Sequence, residues 1–183
     1  MAVGTRMTAT NLADLYDLPP LDLGAVQTDL QRALTAQAPE TGGPGRHTCW
    51  FTTTNADGSP HLTGIGPLWS DGAFWLCTGS GTRKGRNLAR DPRCALSVST
   101  DDYDLVAEGR ATLVTDPAVV AARAAEWAAG GWPCEVAESG TELTAPFSAP
   151  SAGPGPWAVY RMVVASMHAV GAGGPGGATR WSL

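Results

Sequence analysis

From position 47 onward the chain falls into short runs of aromatic and β-branched residues cut by Asp-Gly turns, a pattern that commits it to antiparallel β structure. Residues 47–54 form the first run. Asp57-Gly58 supplies a hairpin turn into a second strand over 60–69, and Asp71-Gly72 turns the chain into a third over 73–78. These three predict an antiparallel meander. Two further strands, over 94–98 and 105–115, flank the polar turn Thr100-Asp101-Asp102, and strand-like segments at 157–170 and 179–183 complete the pattern. Five or six strands in meander order, with helices between them and at the ends, predict a mainly β chain with helices, arranged as an antiparallel β-barrel.

The helices are marked by their caps. Asp22 precedes a helix over 23–36 in which Leu23, Val26, Leu30, Ala33 and Leu34 recur on one face, and Pro39 with the Gly/Pro cluster 42–45 ends it. Asp116-Pro117 places aspartate at the N-cap and proline at the first helical position of a second helix, 118–129, which stops at Gly130-Gly131. Residues 133–155 are expected as a long loop with one helical turn, of the kind that serves as a lid or a dimer-contact arm. Residues 1–21, ending in Pro19-Pro20, read as an N-terminal arm, and 22–183 as one domain.

With 183 residues, 43% of them hydrophobic, the chain has enough core to fold without staples. Cys49, Cys77, Cys94 and Cys134 are widely spaced and form no C-x-x-C pair, so a reduced, cytoplasmic setting is expected. The first ten residues carry no apolar leader, and no run reaches the length of a membrane span, so neither export nor membrane insertion is expected. A net charge of -5 argues against nucleic acid as a partner.

Against that acidic balance, the only lysine, Lys84, lies in the most basic stretch, Gly79-Ser80-Gly81-Thr82-Arg83-Lys84-Gly85-Arg86-Asn87-Leu88-Ala89-Arg90-Asp91-Pro92-Arg93. A strand and a glycine turn lead here into a helix capped by Thr82 and ended by Asp91-Pro92. Cations in a first helical turn oppose the helix dipole, and a phosphate seated on the helix N-terminus reverses that. Arg83 and Asn87, four apart, share a face toward such a ligand. Arg86, Arg90 and Arg93 read as solvated surface. Neither G-x-x-x-x-G-K-[ST] nor G-x-G-x-x-G is present, so no triphosphate loop or Rossmann dinucleotide site is indicated.

Four groups of residues occur in an order that resembles one known family. They are Thr52-Thr53-Thr54-Asn55-Ala56-Asp57-Gly58-Ser59-Pro60-His61, the strand entering Thr78-Gly79, the run Thr82-Arg83-Lys84-x-x-Asn87-Leu88-x-x-Asp91-Pro92-Arg93, and Glu108-Gly109-x-Ala111 ahead of Thr115-Asp116-Pro117. Together they resemble the flavin-binding split β-barrel family that includes pyridoxamine 5'-phosphate oxidase and the actinobacterial deazaflavin (F420)-dependent reductases. The resemblance implies a split antiparallel β-barrel, PNP oxidase-like and FMN-binding, and a homodimer with a coenzyme in each of two interfacial clefts. It places the coenzyme phosphate on Thr82, Arg83 and Lys84, with Asn87 on the same helix. The ring would lie along Thr78 and the backbone of residues 62–67, including Ile65 and Gly66. Gly64 and Gly66 either leave room for the ring or mark a bend at a barrel corner.

The basic run and the Gly-Ala-Thr-Arg-Trp ending look more like the deazaflavin branch. They imply a reductase that passes hydride from reduced F420 to an unsaturated small molecule. An FMN-dependent oxidase or reductase is the alternative, and a non-catalytic flavin- or haem-binding protein a third reading.

No residue is assigned a catalytic role, since in such folds the coenzyme carries the chemistry. His47, His61 and His168 lack metal-ligand spacing, and His61, opening the strand assigned to the ring, is expected to face the cleft. Trp127, Trp132, Phe147, Trp157 and Tyr160 either line a pocket for a planar compound or belong to the core. Arg180 and Trp181 are expected either to fold over the coenzyme as a lid, or to dock, with Trp181 in the barrel and Arg180 solvated.

Overall fold

Eleven strands and three α-helices alternate along the residues that the structure, a computed structural model, describes: 7–35, 49–173 and 176–183. The strands are β1 (Thr8–Asn11), β2 (Cys49–Thr54), β3 (Pro60–Ile65), β4 (Leu68–Ser70), β5 (Ala73–Thr78), β6 (Arg93–Ser99), β7 (Tyr103–Leu113), β8 (Glu135–Val136), β9 (Glu142–Thr144), β10 (Trp157–Gly171) and β11 (Ala178–Ser182). The helices are α1 (Leu23–Leu34), α2 (Arg83–Arg90) and α3 (Pro117–Ala129). His47, Ala36, Pro39, the cluster at 42–45, residues 1–6 and Gly174-Pro175 lie outside the described residues.

All three helices start at the side-chain caps read from the sequence. The Asp22 carboxylate accepts from the Ala25 N–H at 2.8 Å, the Thr82 hydroxyl from the Gly85 N–H at 3.1 Å, and the Asp116 carboxylate from the Ala118 N–H at 2.9 Å.

The strands form one antiparallel sheet in the order β1-β11-β10-β7-β6-β2-β3, with β4, β5, β8 and β9 attached off that path. The expected meander does not form: β3 pairs with β2, whereas β5 pairs with β4 and β10. Gly66-Pro67 is the cause. A proline cannot donate to the ladder and restricts the residue before it, so the run expected over 60–69 breaks into β3 and β4. β4 then folds back on β5 through Asp71-Gly72, whose φ values of 52° and 68° match a tight hairpin turn.

β10 organises the rest. One edge pairs along its length with β7, while the other pairs first with β5, over Ala158 to Val163, and then with β11, over Ser166 to Val170. The register shifts between Val164 and Ser166, where a bulge bends the strand and lets the sheet part. The loop expected over 133–155 contains the β8–β9 hairpin and a 3-10 turn at Pro150–Ala152. β1, inside the segment read as an arm, pairs with β11.

Two cores result, and β5 lies between them. Phe74 and Leu76 join α1 (Val26, Leu30), Phe51, Leu96, Met162 and Trp181 in the larger core. Trp75, the next residue round, joins α3 (Val120, Trp127), Leu143 and Val159 in the smaller one. This explains why 73–77 is an unbroken apolar run rather than an alternating one: both faces of the strand are buried.

Candidate functional site

The site is built where β5 runs into α2. The Thr82 hydroxyl donates to the Gly79 carbonyl at 2.8 Å and accepts from the Gly85 N–H, so the hydroxyl of Thr78, 3.0 Å away, must donate to it. Both hydroxyl protons are thereby committed to the turn. Gly85 is required by the same packing, because a Cβ there would stand 2.5 Å from the Gly79 carbonyl oxygen. Thr78 and Thr82, expected as direct coenzyme contacts, shape the cradle and have no proton free to donate to a phosphate.

Asn87 is tied to the neighbouring strand. It is buried, and its amide donates to the Thr53 hydroxyl at 3.0 Å and to the Asn55 side-chain oxygen at 3.1 Å. Its amide faces β2. Arg83 is exposed.

Lys84 turns inward. It is only 3% exposed, its ammonium donates to the Ser151 carbonyl, and burial holds its pKa below the usual lysine value. It reaches a cavity of about 460 Å³, a volume suited to a cofactor or small ligand. It is lined by the β3–β4 corner, Gly64, Ile65, Gly66 and Pro67, by Cys77 of β5, by Trp127 of α3 and Trp132 just beyond it, and by Phe147, Ser148 and Ser151 of the segment that follows β9. Nothing lies within 4 Å of a Cβ built on Gly64 or Gly66, so a flat group can approach that backbone. Gly64 sits in regular register opposite Trp50, whereas Gly66 marks the corner where β3 ends.

His61 stands on β3 opposite Thr53, half-buried. Its pKa is lowered, first by burial and then by the charges of Arg83 and Lys84, which holds the imidazole neutral near pH 7. The Cys77 thiol is pushed up to about 12, chiefly by burial, so the cavity offers no thiolate nucleophile.

The lid expected from Arg180 and Trp181 is a strand. β11 lies between β1 and β10, with Trp181 3% exposed in the larger core and Arg180 exposed. The docked arrangement holds, because period-2 alternation sends Trp181 inward and Arg180 outward. Of the five aromatics considered for the pocket, Trp127, Trp132 and Phe147 line it, Trp157 packs on Trp132, and Tyr160 belongs to the larger core. The sequence reading missed Leu34, which closes one side, and the Ser151 carbonyl. A backbone acceptor leaves no trace in residue identity.

The antiparallel sheet thus carries a glycine turn, a capped basic helix and a largely apolar cavity of a size suited to a small molecule. Residues 40–146 match the family model for pyridoxamine 5'-phosphate oxidase, and the chain belongs to that family. Among solved structures it is similar to a conserved hypothetical protein from Mycobacterium tuberculosis, with 19% identity over 81% of this chain and 84% of that one and a TM-score of 0.56. It is also similar to a heme binding protein from Mycobacterium smegmatis, with 19% identity over 88% of this chain and 58% of that one and a TM-score of 0.54. At such identities the likeness is one of fold. No curated protein matches the chain. Among the described residues, no helix is long and apolar enough to cross a membrane.

Proposed function

We propose that this chain is a cytoplasmic reductase that holds the deazaflavin F420, with FMN the alternative coenzyme, and reduces an unsaturated small molecule. The observation that carries the proposal is the meeting of a buried lysine and an open glycine backbone in one cavity. When bound, the reduced ring supplies the hydride. The chain does the rest. Lys84, with the exposed Arg83 beside it on α2, attracts the anionic end of the coenzyme, and a charged partner there offsets the cost of burying the ammonium. Gly64, Ile65 and Gly66 let the ring lie against backbone, and His61 sits nearby as a neutral hydrogen-bonding group. The apolar walls exclude water.

The preference for F420 rests on the run from Thr82 to Arg93, which resembles the deazaflavin branch. A haem reading has less support, since among the described residues the cavity lining holds no histidine, methionine or tyrosine and Cys77 is its one side chain of ordinary haem-ligand type.

A homodimer belongs to the same proposal. Trp50, Leu62 and Val106 are 46%, 59% and 41% exposed, and the strand register sets them on one sheet face, with Ser97 between Trp50 and Val106. An apolar group of this kind suits a subunit interface. Sedimentation of a stable monomer that binds coenzyme at full affinity would refute the interfacial site. The function is tested by titrating oxidised F420 and FMN side by side, then screening reductase activity with whichever binds. Binding of neither coenzyme overturns the reading.

A further inference from the structure

We infer that residues 147–153 are a strap that Lys84 holds closed over itself, and that an anion taken up by the lysine releases it, an inference that rests on the coenzyme reading for the identity of that anion. The strap is held by its backbone. Four of its carbonyls accept from groups outside it: Phe147 from the Trp132 Nε1–H at 2.7 Å, Ser151 from the Lys84 ammonium, Ala152 from the Gly79 N–H at 2.9 Å and Gly153 from the Trp157 Nε1–H at 2.9 Å. Its side chains add little. Ala152 alone is buried, whereas Phe147, Ala149, Pro150 and Ser151 are exposed. A segment with so little buried apolar surface opens at a small fraction of the cost of unfolding the whole chain.

Of the four donors, Lys84 is the one that a ligand can claim. The two indoles and the Gly79 amide are neutral, while the ammonium gains more from an anion than from an uncharged carbonyl. Lys84 is also only 3% exposed, so a phosphate-sized anion must displace what covers it. The Ser151 carbonyl occupies it. Movement of that carbonyl carries along Ala152, the next residue, whose own carbonyl holds the Gly79 N–H at the turn into α2. At the far end Gly153, with φ 71°, seats the strap against the same turn: a Cβ there would stand 2.9 Å from the Thr82 methyl carbon. The closed strap therefore competes with the ligand for one ammonium, and apparent affinity falls in proportion to the open fraction.

Hydrogen exchange of the full chain, read at the Gly79, Ala152 and Gly153 amides, tests the latch. The last two amides close the 3-10 turn onto Ala149 and Pro150, at 2.8 and 3.2 Å. Lys84→Met and Gly153→Ala, each without ligand, should speed exchange at these amides roughly fivefold, as for one lost hydrogen bond, with β7 and β10 unchanged. Saturating F420, FMN or pyrophosphate should do the same to the parent protein. The variants then part. Gly153→Ala, with its lysine intact and its strap loosened, should bind coenzyme several-fold more tightly than the parent, whereas Lys84→Met binds it more weakly. Exchange that slows with a bound anion or changes with none of the three, a strap still protected in Lys84→Met, or coenzyme binding by Gly153→Ala no tighter than the parent's would each overturn the inference. If neither coenzyme binds but pyrophosphate loosens the strap, the coenzyme reading fails and the latch stands.

Discussion

The ammonium of Lys84 and the backbone carbonyl of Ser151, 67 positions apart in the chain, are hydrogen-bonded across the cavity. That bond ties the first turn of α2 to the segment that follows β9, which also carries Phe147. It also leaves the lysine short of an anionic partner, since among the described residues its recorded acceptor is an uncharged carbonyl.

Lys84→Met should therefore weaken coenzyme binding by about 10- to 100-fold, the loss of a charge-assisted hydrogen bond, while the apo melting temperature shifts by only a few degrees. The pH dependence has a definite sign. Because burial lowers the lysine pKa, affinity of the parent protein should fall as pH rises through a value below the ordinary 10.5. For the same reason the buried ammonium opposes folding at neutral pH, and Lys84→Met relieves that penalty. Titration of coenzyme fluorescence across pH checks the first point and thermal melting the second.

Asn87→Ala should behave in the opposite way. Its amide joins α2 to Thr53 and Asn55, so the variant should lose about 1–3 kcal/mol of stability in urea denaturation. Coenzyme affinity should change less than in Lys84→Met. A full-stability Asn87→Ala protein that no longer binds coenzyme would return Asn87 to the ligand.

His61 should titrate below 6.5 when followed by NMR, and Arg83→Gln should raise the midpoint by removing one of the two cations that depress it. With its folded pKa lowered, this histidine favours the folded state less as pH falls through its titration range. A midpoint at or above 6.5 would show that the imidazole is remote from both cations.

Trp181→Ala should cost about 3–5 kcal/mol, as for a large aromatic removed from a packed core. Deleting residues 179–183 should destabilise the apo protein further, since β11 bridges β1 and β10. Unchanged apo stability with lost coenzyme binding is the result that would restore the lid.

Cap residues and alternation act over a few residues, and those parts of the protein were legible in the sequence. Asp22, Thr82 and Asp116 start helices because each side chain reaches an N–H two or three positions on. β2, β5, β6, β7, β10 and β11 fall where the apolar and β-branched runs stand. A lysine beside a capped glycine turn is likewise a local signal, so Lys84 could be singled out from the sequence, but its burial could not. Strand order was not. It was decided at Gly66-Pro67 and at the β10 bulge, where small local breaks choose among pairing partners far apart in the chain. Tertiary structure likewise decided which side chains remain free. Thr78, Thr82 and Asn87 are of the right types to bind a phosphate, yet their hydrogen-bonding groups are taken by Gly79, Gly85, Thr53 and Asn55. A residue's chemistry is set by its identity, but its availability is set by what packs against it, and only the folded chain brings Lys84, Gly64 and Trp132 to one cavity.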